Sequence, residues 1–92
     1  MKTEEYLHIL MMTAQIQKKG CGMEGYPAVS VDISNGWKNA EMNIRIKDDG
    51  DQQRFYDGVY EFPLNEPTSR RHYEDCVKHL EELIEKTKSF GE

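Results

Sequence analysis

The sequence predicts a single small α+β domain in α-β-β-β-α order, a three-stranded antiparallel meander with both helices packed on one face. Three observations predict it. Asn35-Gly36 stands between two runs whose apolar residues alternate. That is a hairpin signature, because a type I′ turn needs φ > 0 at both central positions. Segments near both ends of the chain repeat apolar side chains at i, i+3, i+4 and i+7, the period of an amphipathic helix. Finally, 92 residues with 37% hydrophobic and 32% charged content fit one domain, spanning residues 1–92, with a small core.

The first helix is expected over residues 3–19. Leu7, Leu10, Met11 and Ala14 form its apolar stripe, broadened by Tyr6, Ile9, Met12 and Ile16. Lys18, Lys19 and Gly20 place cations in the last turn and a permissive stop after it. The apolar stretch is too short to span a bilayer and is preceded by Glu4 and Glu5, so it reads as a core helix.

The hairpin follows over residues 28–34 and 37–47. A two-residue turn sets Ser34 against Trp37, Val31 against Ala40 and Val29 against Met42, which gathers the apolar residues of both strands on one face. The other face carries Ser30, Asp32, Ser34, Trp37, Asn39, Glu41, Asn43, Arg45 and Lys47. After the acidic turn at 48–51, a third strand is expected over 54–62. Its phase is divided, with Phe55 and Val59 on one parity and Tyr56, Tyr60 and Phe62 on the other. A bulge near Asp57-Gly58 would reconcile them.

Pro63 ends that strand. Asn65 or Thr68 can cap a last helix reaching about residue 89, with Pro67 confined to its first turn. Tyr73, Cys76, Val77, Leu80, Leu83 and Ile84 make its apolar stripe. Both helical stripes need a surface to cover, and one sheet face is the only large apolar surface the chain offers.

Chemistry-bearing motifs are few. Gly20-x-Gly22-x-x-Gly25 spells the dinucleotide fingerprint, but it follows a helix and precedes a strand, the reverse of the order that fingerprint requires. His72, Cys76 and His79 share a helix face, yet Cys76 belongs to the core stripe and no second ligand pair accompanies them, so no metal is expected. Asp48-Asp49-Gly50-Asp51 lacks the spacing of a calcium loop. No nucleophile stands beside a base, so neither an enzyme nor a cofactor is expected.

Net charge is −5, from 17 acidic and 12 basic residues, which opposes binding through phosphates. Trp, Tyr and Arg are common interface anchors, and acids suit a basic partner. The expected function is therefore non-enzymatic binding of a protein with a basic surface, through the open sheet face. Trp37, Glu41, Arg45, Asp48, Asp49, Asp51 and Tyr56 are the candidate contacts. Open strand edges also admit a second copy of the chain. With two cysteines and no signal peptide or membrane span, the expected location is the cytoplasm, that of the host if the protein is phage-encoded.

The α-β-β-β-α order resembles that of double-stranded-RNA-binding domains across most of the chain. That resemblance implies RNA contact at the start of the last helix, here Ser69-Arg70-Arg71-His72-Tyr73, with Arg70 and Arg71 as the binding residues. The hairpin loop Asn35-Gly36 departs from the longer loop those domains insert into the minor groove. In size, charge sign and element order the chain is also similar to small acidic phage proteins of the anti-CRISPR type. This likeness implies an inhibitor whose carboxylates imitate nucleic-acid phosphates in a basic channel.

Overall fold

The computed structural model describes residues 1–20, 25–35, 40–48 and 60–88. Its elements run α1 (Thr3–Gly20), β1 (Ala28–Asn35), β2 (Ala40–Lys47), β3 (Tyr60–Pro63) and α2 (Arg70–Lys88). The strands form one antiparallel sheet in the order β1-β2-β3. Ile9, Met12 and Ile16 of α1 and Cys76, Leu80 and Leu83 of α2 meet Val29, Met42, Ile44, Ile46 and Phe62 in one core. Both helices thus cover the same sheet face, as the two amphipathic stripes require. No helix among the described residues is long and apolar enough to cross a membrane.

The hairpin register differs from the expected one. Asn35 pairs with Ala40, Ser34 with Glu41 and Val31 with Ile44. The connection therefore holds residues 36–39, and Ser34 does not face Trp37. The shift is an even number of residues, so every side chain keeps its predicted face. Apolar pairing explains the preference. A two-residue turn would set Ile33 against Lys38 and leave Ile44 and Ile46 without partners on β1. In the observed ladder Val29, Val31 and Ile33 face Ile46, Ile44 and Met42.

Helix α1 is rotated from its expected orientation. Its buried residues are Glu5, Ile9, Met12, Thr13 and Ile16. Leu7, Leu10 and Met11 are 48%, 38% and 68% exposed, although their spacing suggested the core stripe. Apolar residues surround much of this helix, so periodicity alone does not choose the buried side. Polar anchors do. Gln17 Oε1 accepts the Val29 amide at 2.9 Å, covering an edge group of β1, and Glu5 is held by residues preceding and opening α2. Both bonds require the Ile9–Ile16 side to turn inward.

Two glycines shape the entry to the sheet. A Cβ at Gly20 would lie 2.4 Å from the Tyr26 ring, so the helix end and this aromatic pack against each other only without a side chain. Gly25 has φ of +84°, a left-handed conformation costly to other residues. Tyr26 therefore lies against the end of α1.

β3 is described over Tyr60–Pro63, and residues 54–59 of the expected strand lie outside the described residues. Phe62 faces Met42 and Tyr60 faces Ile44, which sets the parity of its described part. The proposed bulge, with Phe55 and Val59, lies outside the described residues. α2 begins later than either expected cap. Ser69 is the N-cap, its Oγ accepting the His72 amide at 3.4 Å, while Thr68 turns its hydroxyl to Glu5.

Candidate functional site

The sheet face turned away from the helices is polar because strand alternation sends every second residue outward. The observed register arranges those residues in rows. Ser34 and Glu41 form the row nearest the hairpin connection. Asp32, Asn43 and Glu61 form the next, Ser30 and Arg45 the third, and Lys47 lies opposite Ala28 at the far end. Neighbouring positions across strands stand about 5 Å apart. The carboxylates of Asp32, Glu41 and Glu61 therefore share one end of the face, and the cations of Arg45 and Lys47 share the other. Between the acids, Asn43 Nδ2 donates to Ser34 Oγ at 3.0 Å and stiffens the patch. Asp32, Glu61, Ser34 and Arg45 are exposed, and Glu41 is partly so.

Of the expected contact residues, Glu41 and Arg45 belong to this face but to opposite ends of it. Asp48 does not. It turns toward α2, where its Oδ1 lies 2.6 Å from His79 Nε2 and its carbonyl accepts from Lys86 Nζ at 2.9 Å. Trp37, Asp49, Asp51 and Tyr56 lie outside the described residues, as do Cys21 and the acidic turn beyond Asp48. Sequence reasoning grouped the acids by proximity along the chain. The cluster with Asp32 and Glu61 depends on register between three strands, and no local signal announces it.

The Asp48–His79 contact continues to Tyr60, whose Oη is 3.0 Å from His79 Nδ1. The carboxylate needs a donor from Nε2, which leaves Nδ1 of a neutral imidazole to accept the Tyr60 hydroxyl. Burial, foremost, raises the Tyr60 pKa above its ordinary value, so the phenol stays protonated and is a poor nucleophile. The three groups act as a clasp between β2, β3 and α2.

Helix α2 does not assemble a metal site from His72, Cys76 and His79. His72 packs on the rings of Phe62 and Tyr60, with centroids 4.7 and 5.5 Å away, and His79 is engaged by the clasp. Cys76 is fully buried, and desolvation pushes its thiol up to about 12. Among the described residues, no three His, Cys, Asp or Glu side chains converge on a point where a metal could sit.

The start of α2 is organised around Glu5 of α1. Its Oε1 accepts from the Lys2 amide at 2.7 Å and from Thr68 Oγ1 at 2.8 Å, and Arg70 Nη2 approaches Oε2 at 3.4 Å. The backbone bond from Lys2 is the main reason its pKa is lowered, with Thr68 and Arg70 adding to it against the cost of burial. Arg70 also lies over the Tyr73 ring, 5.5 Å from its centroid. Arg70 and Arg71 are both exposed, Arg70 making these two contacts from a side chain that stays largely open to solvent. Compared with known protein families, with curated proteins and with solved structures, the chain matches none of them.

Proposed function

We propose that the protein is a non-enzymatic binding module that engages a macromolecular partner through the open face of its sheet. The observation that carries this reading is the division of that face into an acidic end, Asp32, Glu41 and Glu61, and a cationic end, Arg45 and Lys47. A rigid sheet holds these charges at set spacing, so they can complement a partner without losing much side-chain freedom. The favoured partner is a protein presenting cations to the acidic end. Inhibition by phosphate mimicry is the narrower form of the same reading, and a free, buried Cys76 thiol accords with a cytoplasmic setting.

The test uses charge reversal at exposed positions that the core does not need. Wild-type protein and an Asp32→Lys, Glu61→Lys variant, both confirmed as folded by circular dichroism, are immobilised and exposed to the same lysate. A partner retained by the wild type, eluted by salt and lost by the variant supports the reading. Equal retention on both overturns it. Nucleic-acid binding through Arg70 and Arg71 has less support, because Arg70 already contacts Glu5 and Tyr73. A salt-dependent affinity for duplex RNA that vanishes in an Arg70→Ala, Arg71→Ala variant would reverse that preference.

A further inference from the structure

We propose that the outer face of α1 is a self-association surface on which a second copy of the chain packs antiparallel. With Ile9, Met12, Thr13 and Ile16 in the core, Leu7, Leu10, Met11 and Ala14 are left exposed. At about 100° per residue these four cover an arc of roughly 100° pointing almost directly away from the sheet. Soluble proteins seldom leave so regular an apolar stripe uncovered without a contact to make.

The charges bordering the stripe specify a second copy and its direction. Glu4 lies one turn before Leu7 and Lys18 one turn after Ala14, both exposed on the same side of the helix. A two-fold axis between Leu10 and Met11 brings each residue to its counterpart by position. Leu10 then meets Met11 of the other copy, Leu7 meets Ala14, and Glu4 falls level with Gln17, one helical rise of about 1.5 Å from Lys18 on the same flank and within reach of its long side chain. The pattern is its own complement, as an isologous interface requires. A parallel pair would instead set Glu4 on Glu4 and Lys18 on Lys18. Antiparallel packing also opposes the two helix dipoles favourably. The stripe is short beside the roughly 800 Å² per partner of a standard interface, so the dimer is weak, with a Kd on the order of 0.1 mM.

Sedimentation equilibrium over a range from about 10 μM to about 1 mM spans that Kd. The expected result is a reversible monomer–dimer equilibrium, weakened at least tenfold by Met11→Glu with no change in the thermal melt. Glu4→Lys and Lys18→Glu each turn two attractive contacts into repulsive ones and should weaken the dimer by about tenfold. The double variant Glu4→Lys, Lys18→Glu restores the opposite-sign pairs and should recover wild-type association. A monomer throughout the range, a dimer indifferent to Met11→Glu, or a double variant no tighter than the single ones would each overturn the proposal. This surface lies opposite the open sheet face, so its failure leaves the binding-module reading untouched.

Discussion

His79 Nε2 and Asp48 Oδ1 lie 2.6 Å apart, joining the middle of α2 to the residue that follows β2. With Tyr60 on the other ring nitrogen, one imidazole ties three elements together across 31 residues of sequence. Removing it leaves the half-buried Tyr60 hydroxyl without its protein partner. We expect His79→Ala to cost about 1–2 kcal/mol in urea unfolding. Asp48→Ala should cost less, because Asp48 is 45% exposed and water replaces part of the contact. A double-mutant cycle between the two should return a coupling of roughly 0.5–1 kcal/mol, and additivity would show that the contact does not persist in solution.

Glu5 makes stability depend on acid. Its folded pKa is lowered chiefly by the Lys2 amide, so the folded state holds the carboxylate more tightly than the unfolded chain does. That contribution is complete above the unfolded value near 4.5 and is lost as pH falls through the folded one. Glu5→Gln should cost about 1–2 kcal/mol at neutral pH. Its deficit should shrink in acid, as wild type and variant converge. A deficit that is constant with pH would mean that Glu5 acts through packing alone.

At the alkaline end the sign is set by the tyrosines. Burial, first among the causes, raises the pKa of both Tyr60 and Tyr73, so ionising either favours the unfolded chain. Stability should therefore begin to fall as pH rises past the ordinary tyrosine value of 10.0. Tyr73→Phe should soften this decline, as read by denaturant titrations at a series of alkaline pH values.

Much of this architecture is legible in the chain, and the failures have physical reasons. Cys76, Leu80 and Leu83 are buried where a clean helical stripe placed them, because the rest of α2 is charged and leaves one apolar side. Met42, Ile44 and Ile46 are buried as alternation requires. Helix α1 is ambiguous because apolar residues occupy most of its circumference, and only the distant partners of Glu5 and Gln17 select a side. The Asn35-Gly36 pair marks the hairpin but not its pairing, since matching Val29, Val31 and Ile33 to three large apolar partners outweighs the two-residue turn. The acidic cluster of the candidate face inherits that shift. Asp32 and Glu41 were legible as outward acids, whereas their grouping with Glu61 required the register of all three strands.

Gly25 offers a test of backbone strain without steric interference. A Cβ there meets nothing within 4 Å, yet φ is +84°. Gly25→Ala should destabilise by about 1 kcal/mol through conformation alone. Gly20→Ala should cost more, because the Tyr26 ring must also move. Thermal melts of the two variants rank them, and a Gly25→Ala melt equal to wild type would contradict a left-handed residue at that position.

Cys76 should be chemically silent while the protein is folded. Its full burial and a pKa of about 12 leave almost no thiolate at neutral pH. Site-resolved mass spectrometry after iodoacetamide treatment should find Cys76 unmodified in buffer and labelled in denaturant. Rapid labelling in buffer would show that the core opens at this position.

The central claim is that strand register gathers Asp32, Glu41 and Glu61 at one end of the uncovered face. Cross-strand backbone NOEs on isotopically labelled protein test it most directly. The account predicts contacts linking Asp32 to Asn43, Asn43 to Glu61 and Ser34 to Glu41. Contacts of Val29 with Met42 and Val31 with Ala40 would contradict it, because that ladder sets Asp32 opposite Asn39, two rows from Glu61, and breaks up the three-carboxylate cluster.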